Sequence, residues 1–172
     1  MEKKAILEAL QKGFGQVSEL SRTISPETIL RDTPDGKWNI AGNLRHLILS
    51  NRALLKAFML PAFSLRVFGK PSGPSRSYDE IVETYKKTLS SGGKATKPFI
   101  PRKPDTREPE KLISDWEASC RDLIAGVEKW EDEKLDLYLL PHPLLGKLTV
   151  REMLYFTIYH TGHHLNAIRK LI

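Results

Sequence analysis

Residues 149–172 read TVREMLYFTIYHTGHHLNAIRKLI, and they hold three of the chain's five histidines. Thr149 with Glu152 three places on is a capping box, so a helix starts here. No proline interrupts the chain from Val150 to Ile172. At about 100° per residue, Val150, Met153, Leu154, Thr157, Ile168 and Leu171 gather in one apolar arc. Arg151, Glu152, Tyr159, Asn166, Arg169 and Lys170 occupy the opposite arc. With His160 at zero, His164 lies at about 40°, inside the apolar arc, and His163 at about 300°, toward the polar side. The adjacent pair therefore divides, one ring pointing in and one out. Two imidazoles four residues apart can chelate one divalent ion, but two ligands make a weak site, and a third must come from elsewhere. The competing reading is that the histidines only decorate the helix.

Three other segments repeat apolar residues every three or four positions. Over about residues 2–24 the stripe is Ile6, Leu10, Phe14, Val17, Leu20 and Ile24. "SPET" and "DTPDGK" then break the chain. From about residue 39 to 60 the stripe is Ile40, Leu44, Leu47, Leu54 and Phe58, with Asn39 as N-cap and Pro61 as the stop. From about residue 110 to 131 it is Leu112, Trp116, Cys120, Leu123, Val127 and Trp130, a core-packing pattern. A short helix over about 78–89 stands alone in a proline-rich stretch. No set of strands is legible. The expectation is an all-α fold built on four long helices.

The 172 residues favour one domain, 1–172, with a core large enough to stand alone. No apolar run approaches the roughly 20 residues that cross a bilayer, and the first residues lack a signal-peptide pattern. Cys120 is the only cysteine, which rules out an intramolecular disulfide and points to a reducing cytoplasm. The net charge of +6 sits in one place. Residues 62–107 hold ten Lys or Arg against four Asp or Glu, while the rest of the chain is balanced at 17 each. Nucleic acid, an anionic small molecule or an acidic partner could use that segment. Nucleic acid is the weakest of these, because no recognised motif accompanies the charge.

His46 is the candidate third ligand. Asn39, Asn43, Ser50, Ala53 and Ala57 lie within about 60° of it on the wheel, a stripe of small and polar residues such as a cavity wall needs. His142 stands between two prolines, and the expectation is a loop residue at a pocket rim that is not a ligand.

"GKWNIAGNLRHL", "HPLLGKLTVREMLYFTIYHTGHHLNAI" and, between them, "RSYDEIVETYKKTL" and "KPFIPRKP" resemble stretches of the DinB/YfiT-like superfamily of metalloenzymes. The resemblance runs from Trp38 onward. It implies a four-helix bundle holding one divalent ion on three histidines, here His46, His160 and His164. Relatives include thiol-dependent transferases and isomerases that use bacillithiol or mycothiol, and metal-dependent hydrolases; homodimers are common among them. Two positions depart from the family pattern: Gly42 stands where an acidic residue is frequent, and Ala167 where a Gln is frequent.

Three neutral imidazoles leave coordination positions open, the catalytic pattern. Zinc is the first expectation and nickel the second, since imidazole suits both. No Asp or Glu is placed beside the histidines, which favours a thiol S-transferase over a metal-dependent hydrolase. The alternative is a bundle that binds a metal or a partner without turnover. His46 lies about 9 Å from the start of its helix and His164 about 12 Å from the end of the last one. Antiparallel second and fourth helices bring them level, so the expected order is up-down-down-up, with a long crossover between helices two and three. That crossover should bring "KPFIPRKP" to the mouth of the site. There Lys97, Arg102 and Lys103 would meet an anionic substrate, with Asn43 a further expected substrate contact.

Overall fold

The computed structural model describes residues 1–34, 36–102 and 109–172. The described residues are mostly helical. The elements are α1 (Lys3–Thr23), α2 (Pro26–Leu30), α3 (Ile40–Met59), α4 (Tyr78–Ser90), α5 (Pro109–Glu128), β1 (Leu139–His142), β2 (Gly146–Thr149) and α6 (Val150–Arg169). Short 3₁₀ turns occupy Ala62–Phe68, Lys97–Phe99 and Glu133–Asp136.

The start signals act as their chemistry requires. The Asn39 side chain accepts from the Gly42 amide, and α3 begins at the next residue. Thr149 and Glu152 form the capping box of α6. Ser77 and Glu80 form a second one at α4. α2 occupies a stretch where the sequence pattern shows only a break. Ser25 caps it by accepting from the Thr28 amide, Pro26 takes the first turn, and Ile29 is buried as a result.

The antiparallel pair β1–β2 is the other departure from expectation. Leu140 pairs with Leu148 and His142 with Gly146. Leu140, His142 and Leu148 are buried while Pro141 and Lys147 are exposed, a period of two that prolines and a leucine-rich turn obscure in the sequence. Gly146 has φ 73°, which suits glycine at the return.

One connected cluster of buried side chains runs from Ile6 to Ile168. Trp116, fully buried, meets Phe14 edge-on and donates to the Ser18 hydroxyl. α3 and α5 approach closely at Gly126, where a Cβ would lie 3.2 Å from both Leu55 and Phe58. Contacts along α3 and α6 run in opposite order, Asn43 with His164 and His46 with His160. Along α3 and α5 they run in the same order, Asn51 with Ser119 and then Phe58 with Gly126. α1 and α5 are opposed, Lys3 reaching the Glu128 carbonyl while Phe14 meets Trp116.

At the far end from the histidines, Arg151 is buried beneath Asp132 and Asp136. Its Nε and Nη2 engage both Asp136 oxygens at 2.8 and 2.9 Å. Arg76 reaches both Glu152 oxygens and ties the segment before α4 to the first turn of α6.

Candidate metal centre

His46 sits two turns into α3, and His160 and His164 sit one turn apart on α6. All three are buried. His160 Nε2 lies 3.0 Å from His46 Nε2 and 3.1 Å from His164 Nε2. Among the described residues these three form the one group of potential ligands with converging donor atoms.

The outer nitrogens fix the tautomers. His46 Nδ1 lies 2.6 Å from the Phe99 carbonyl, which only accepts, so Nδ1 carries the proton. His164 Nδ1 lies 2.7 Å from Asn43 Oδ1. The Asn43 amide cannot be turned around, because its nitrogen donates to the carbonyls of Trp38 and Asn39. His164 Nδ1 therefore donates too. In the neutral rings both inner nitrogens then present lone pairs to His160 Nε2. A single N–H there satisfies one of them, and the other faces a lone pair. A cation satisfies all three nitrogens at once. Bonds of about 2.0–2.1 Å to a tetrahedral zinc set nitrogens about 3.3 Å apart, so the observed edges need open by only a few tenths of an ångström. The donor set fits a divalent ion.

The electrostatics point the same way. Burial lowers the pKa of His46, against the Phe99 hydrogen bond that raises it. Burial, then the neighbouring imidazoles, holds His160 and His164 well below the ordinary histidine range. Neutral imidazole is the form that ligates.

Aromatic rings close the site. Trp38 lies 4.7 Å from the His46 ring and stacks on His164, and Phe156 stacks on His160 at 4.8 Å. Gly42 makes room for this, since a Cβ there would come within 3.0 Å of the Trp38 Cβ. A side chain at position 42 would press on Trp38, whose indole covers the histidines, and on the Asn39 cap.

The histidines open onto a cavity of about 500 Å³ between α3, the 62–68 turn, α4, β1 and α6. No Asp or Glu is among its described lining residues. His163 is exposed, outside the cluster, and contributes to the cavity wall. His142 lies at the end of β1 and is a buried wall residue rather than part of a loop. Its Nδ1 accepts from the Leu144 and Leu145 amides. Phe99 and Thr96 bring the end of the crossover against the cavity, but Lys97 and Arg102 are exposed and do not line it. Lys103 lies outside the described residues. Asn43 uses both ends of its amide within the protein.

Sequence reasoning missed the Phe99 carbonyl, the Asn43–His164 bond, and Tyr85, which lines the cavity and meets the His160 ring edge-on. Only the second left a signal, a polar residue one helical turn before His46 within the stripe of small and polar side chains. Its importance is measurable. Asn43→Leu removes the acceptor that orients His164, and metal affinity should fall roughly 10–100-fold, as for other outer partners of ligating histidines. Asn43→Asp keeps an acceptor for His164 but sets its second oxygen against the Trp38 and Asn39 carbonyls, so it should recover the affinity only in part. Competition against a chelator reads both, and unchanged affinity in Asn43→Leu would remove the orienting role.

A family model described as DinB superfamily matches residues 9–168 of the chain. No curated protein and no solved structure gives a match.

Proposed function

We propose that this chain, which belongs to the DinB superfamily, is a divalent-metal-dependent thiol S-transferase built on His46, His160 and His164. The observation that carries the proposal is the set of three buried, neutral imidazoles with inner lone pairs aimed at one point, opening on a cavity with no carboxylate in its described lining. A divalent ion held there, zinc first and nickel second, supplies Lewis acidity that lowers the pKa of a thiol or a water brought to it.

With no Asp or Glu in the described lining, acidity separates the two nucleophiles. Beside a bound ion, water comes down from about 15.7 only to about 7, whereas a coordinating thiol, ordinarily near 8.5, is deprotonated outright. A thiol can lose its proton to solvent without a carboxylate beside it. Its sulfur then forms a bond to the electrophilic carbon as the leaving group departs with its electron pair. The Phe99 carbonyl and Asn43 hold the ligating rings, while Trp38 and Phe156 keep water off their faces.

In the same proposal α1, α3, α5 and α6 form a single up-down-down-up four-helix bundle, with the crossover after Pro61 joining its second and third members. The opposed contacts of α3 with α6 and the same-order contacts of α3 with α5 support it.

The test is consumption of a low-molecular-weight thiol, bacillithiol, in the presence of an aryl halide. The metal-loaded protein should accelerate it, and chelation should abolish the acceleration. Ester hydrolysis with no thiol consumption would reassign the site to hydrolysis. An ion-loaded protein that turns over neither substrate would make it a binding module.

A further inference from the structure

We propose that the cavity receives an elongated apolar molecule ending in an anionic group. Its reacting end lies at the three histidines and its anion at Lys56. The placement of the reacting end rests on the metal-centre reading; the rest stands on the cavity alone.

The shape comes from α3. His46, Ser50, Leu54, Ala57 and Leu60 all line the cavity, so it follows one helix face for several turns. Ten residues separate His46 from Lys56, about 15 Å along the axis. Leu65, Phe68 and Leu140 supply the facing wall. An apolar wall of that length fits the hydrocarbon chain of an electrophile.

Several polar atoms along the cavity are already engaged. Ser50 donates to the His46 carbonyl and Thr157 to the Met153 carbonyl. His142 Nδ1 accepts two backbone amides. A hydrophilic occupant would lose its water and recover few hydrogen bonds.

The formal charges of the described lining are of one sign. Lys56 and Lys94 line the cavity, both are exposed, and neither has an ion pair among the described residues. Lys56 stands at the end of α3 away from the histidines. With no Asp or Glu in the described lining, an anion is attracted to the cavity and a cation repelled. The basic segment supplies Lys94 to the lining, while Lys97 and Arg102 stay outside.

The test is calorimetric titration of octanoate, decanoate and dodecanoate into the zinc-loaded protein, with zinc content measured on the same samples. Binding should saturate, and affinity should rise up to about fourfold for each methylene added. Lys56→Gln should weaken dodecanoate roughly threefold at low salt, and less at high salt. Ala57→Trp should fill the slot and abolish binding while zinc content and helicity hold. Absence of saturable binding, or equal affinity in Ala57→Trp, overturns the apolar assignment. Equal affinity in Lys56→Gln at low salt overturns the anionic one; because Lys56 is exposed, that variant does not endanger the fold. Zinc retention without dodecanoate binding fails the cavity proposal alone. Dodecanoate binding without zinc retention fails the metal reading alone.

Discussion

His46→Ala is expected to take the protein from close to one retained divalent ion per chain to a small residue, while His163→Ala leaves retention unchanged. The asymmetry follows from geometry. His46 supplies the one converging nitrogen that does not come from α6. Without it the site is a two-imidazole pair on a single helix turn, which holds first-row ions weakly. The loss should exceed about a hundredfold in affinity, the upper range for removing an outer partner that only orients a ligand. His163 is next in sequence to His164, yet it points to the exposed side and is absent from the cluster. Elemental analysis of protein purified without a nickel column, followed by chelator competition, reads both variants. Equal loss in the two would mean that the cluster is not the binding site. Helicity should be preserved in both, because the Ala side chain suits a helix interior.

What the sequence made legible was whatever is carried by side-chain identity along one helix. The spacing of His160 and His164, the Asn39 cap and the Thr149–Glu152 box are local facts, and each appears in the structure where the spacing puts it. The crossover shows the limit. "KPFIPRKP" attracts attention for its cations, but what it delivers to the histidines is a backbone carbonyl, Phe99 O, from 53 residues beyond His46. Every residue carries a carbonyl, so composition cannot single that one out. The cations that line the cavity, Lys56 and Lys94, come from different segments and are brought to it only by folding. The hairpin was hidden for another reason. Its inward residues Leu140 and His142 alternate with Pro141, and a proline inside a short run argues against a strand until the edge position is known.

His142 carries a second large effect, on stability against acid. The ring is buried at 9 % exposure, and burial pushes its pKa down to about 4 from the ordinary 6.5. The physical obstacle is specific as well as general: protonating Nδ1 destroys the acceptor for the Leu144 and Leu145 amides. The unfolded chain takes up this proton below about 6.5 and the folded protein only near 4, so the unfolded state binds more protons in between. The contribution is therefore fully present above pH 6.5 and drains away as the pH falls toward 4. Across that window it amounts to about 3 kcal/mol. His142→Asn keeps an acceptor for the turn, as asparagine does in Asx-turns, and adds no group that titrates. Metal-free wild type and His142→Asn should thus be unfolded with urea at pH 7.5, 6, 5 and 4. The variant is expected to lose markedly less stability over this range. The difference between the two proteins isolates His142 from the four other histidines, which both contain. Parallel declines would mean that His142 reaches solvent and takes its proton without leaving the hairpin.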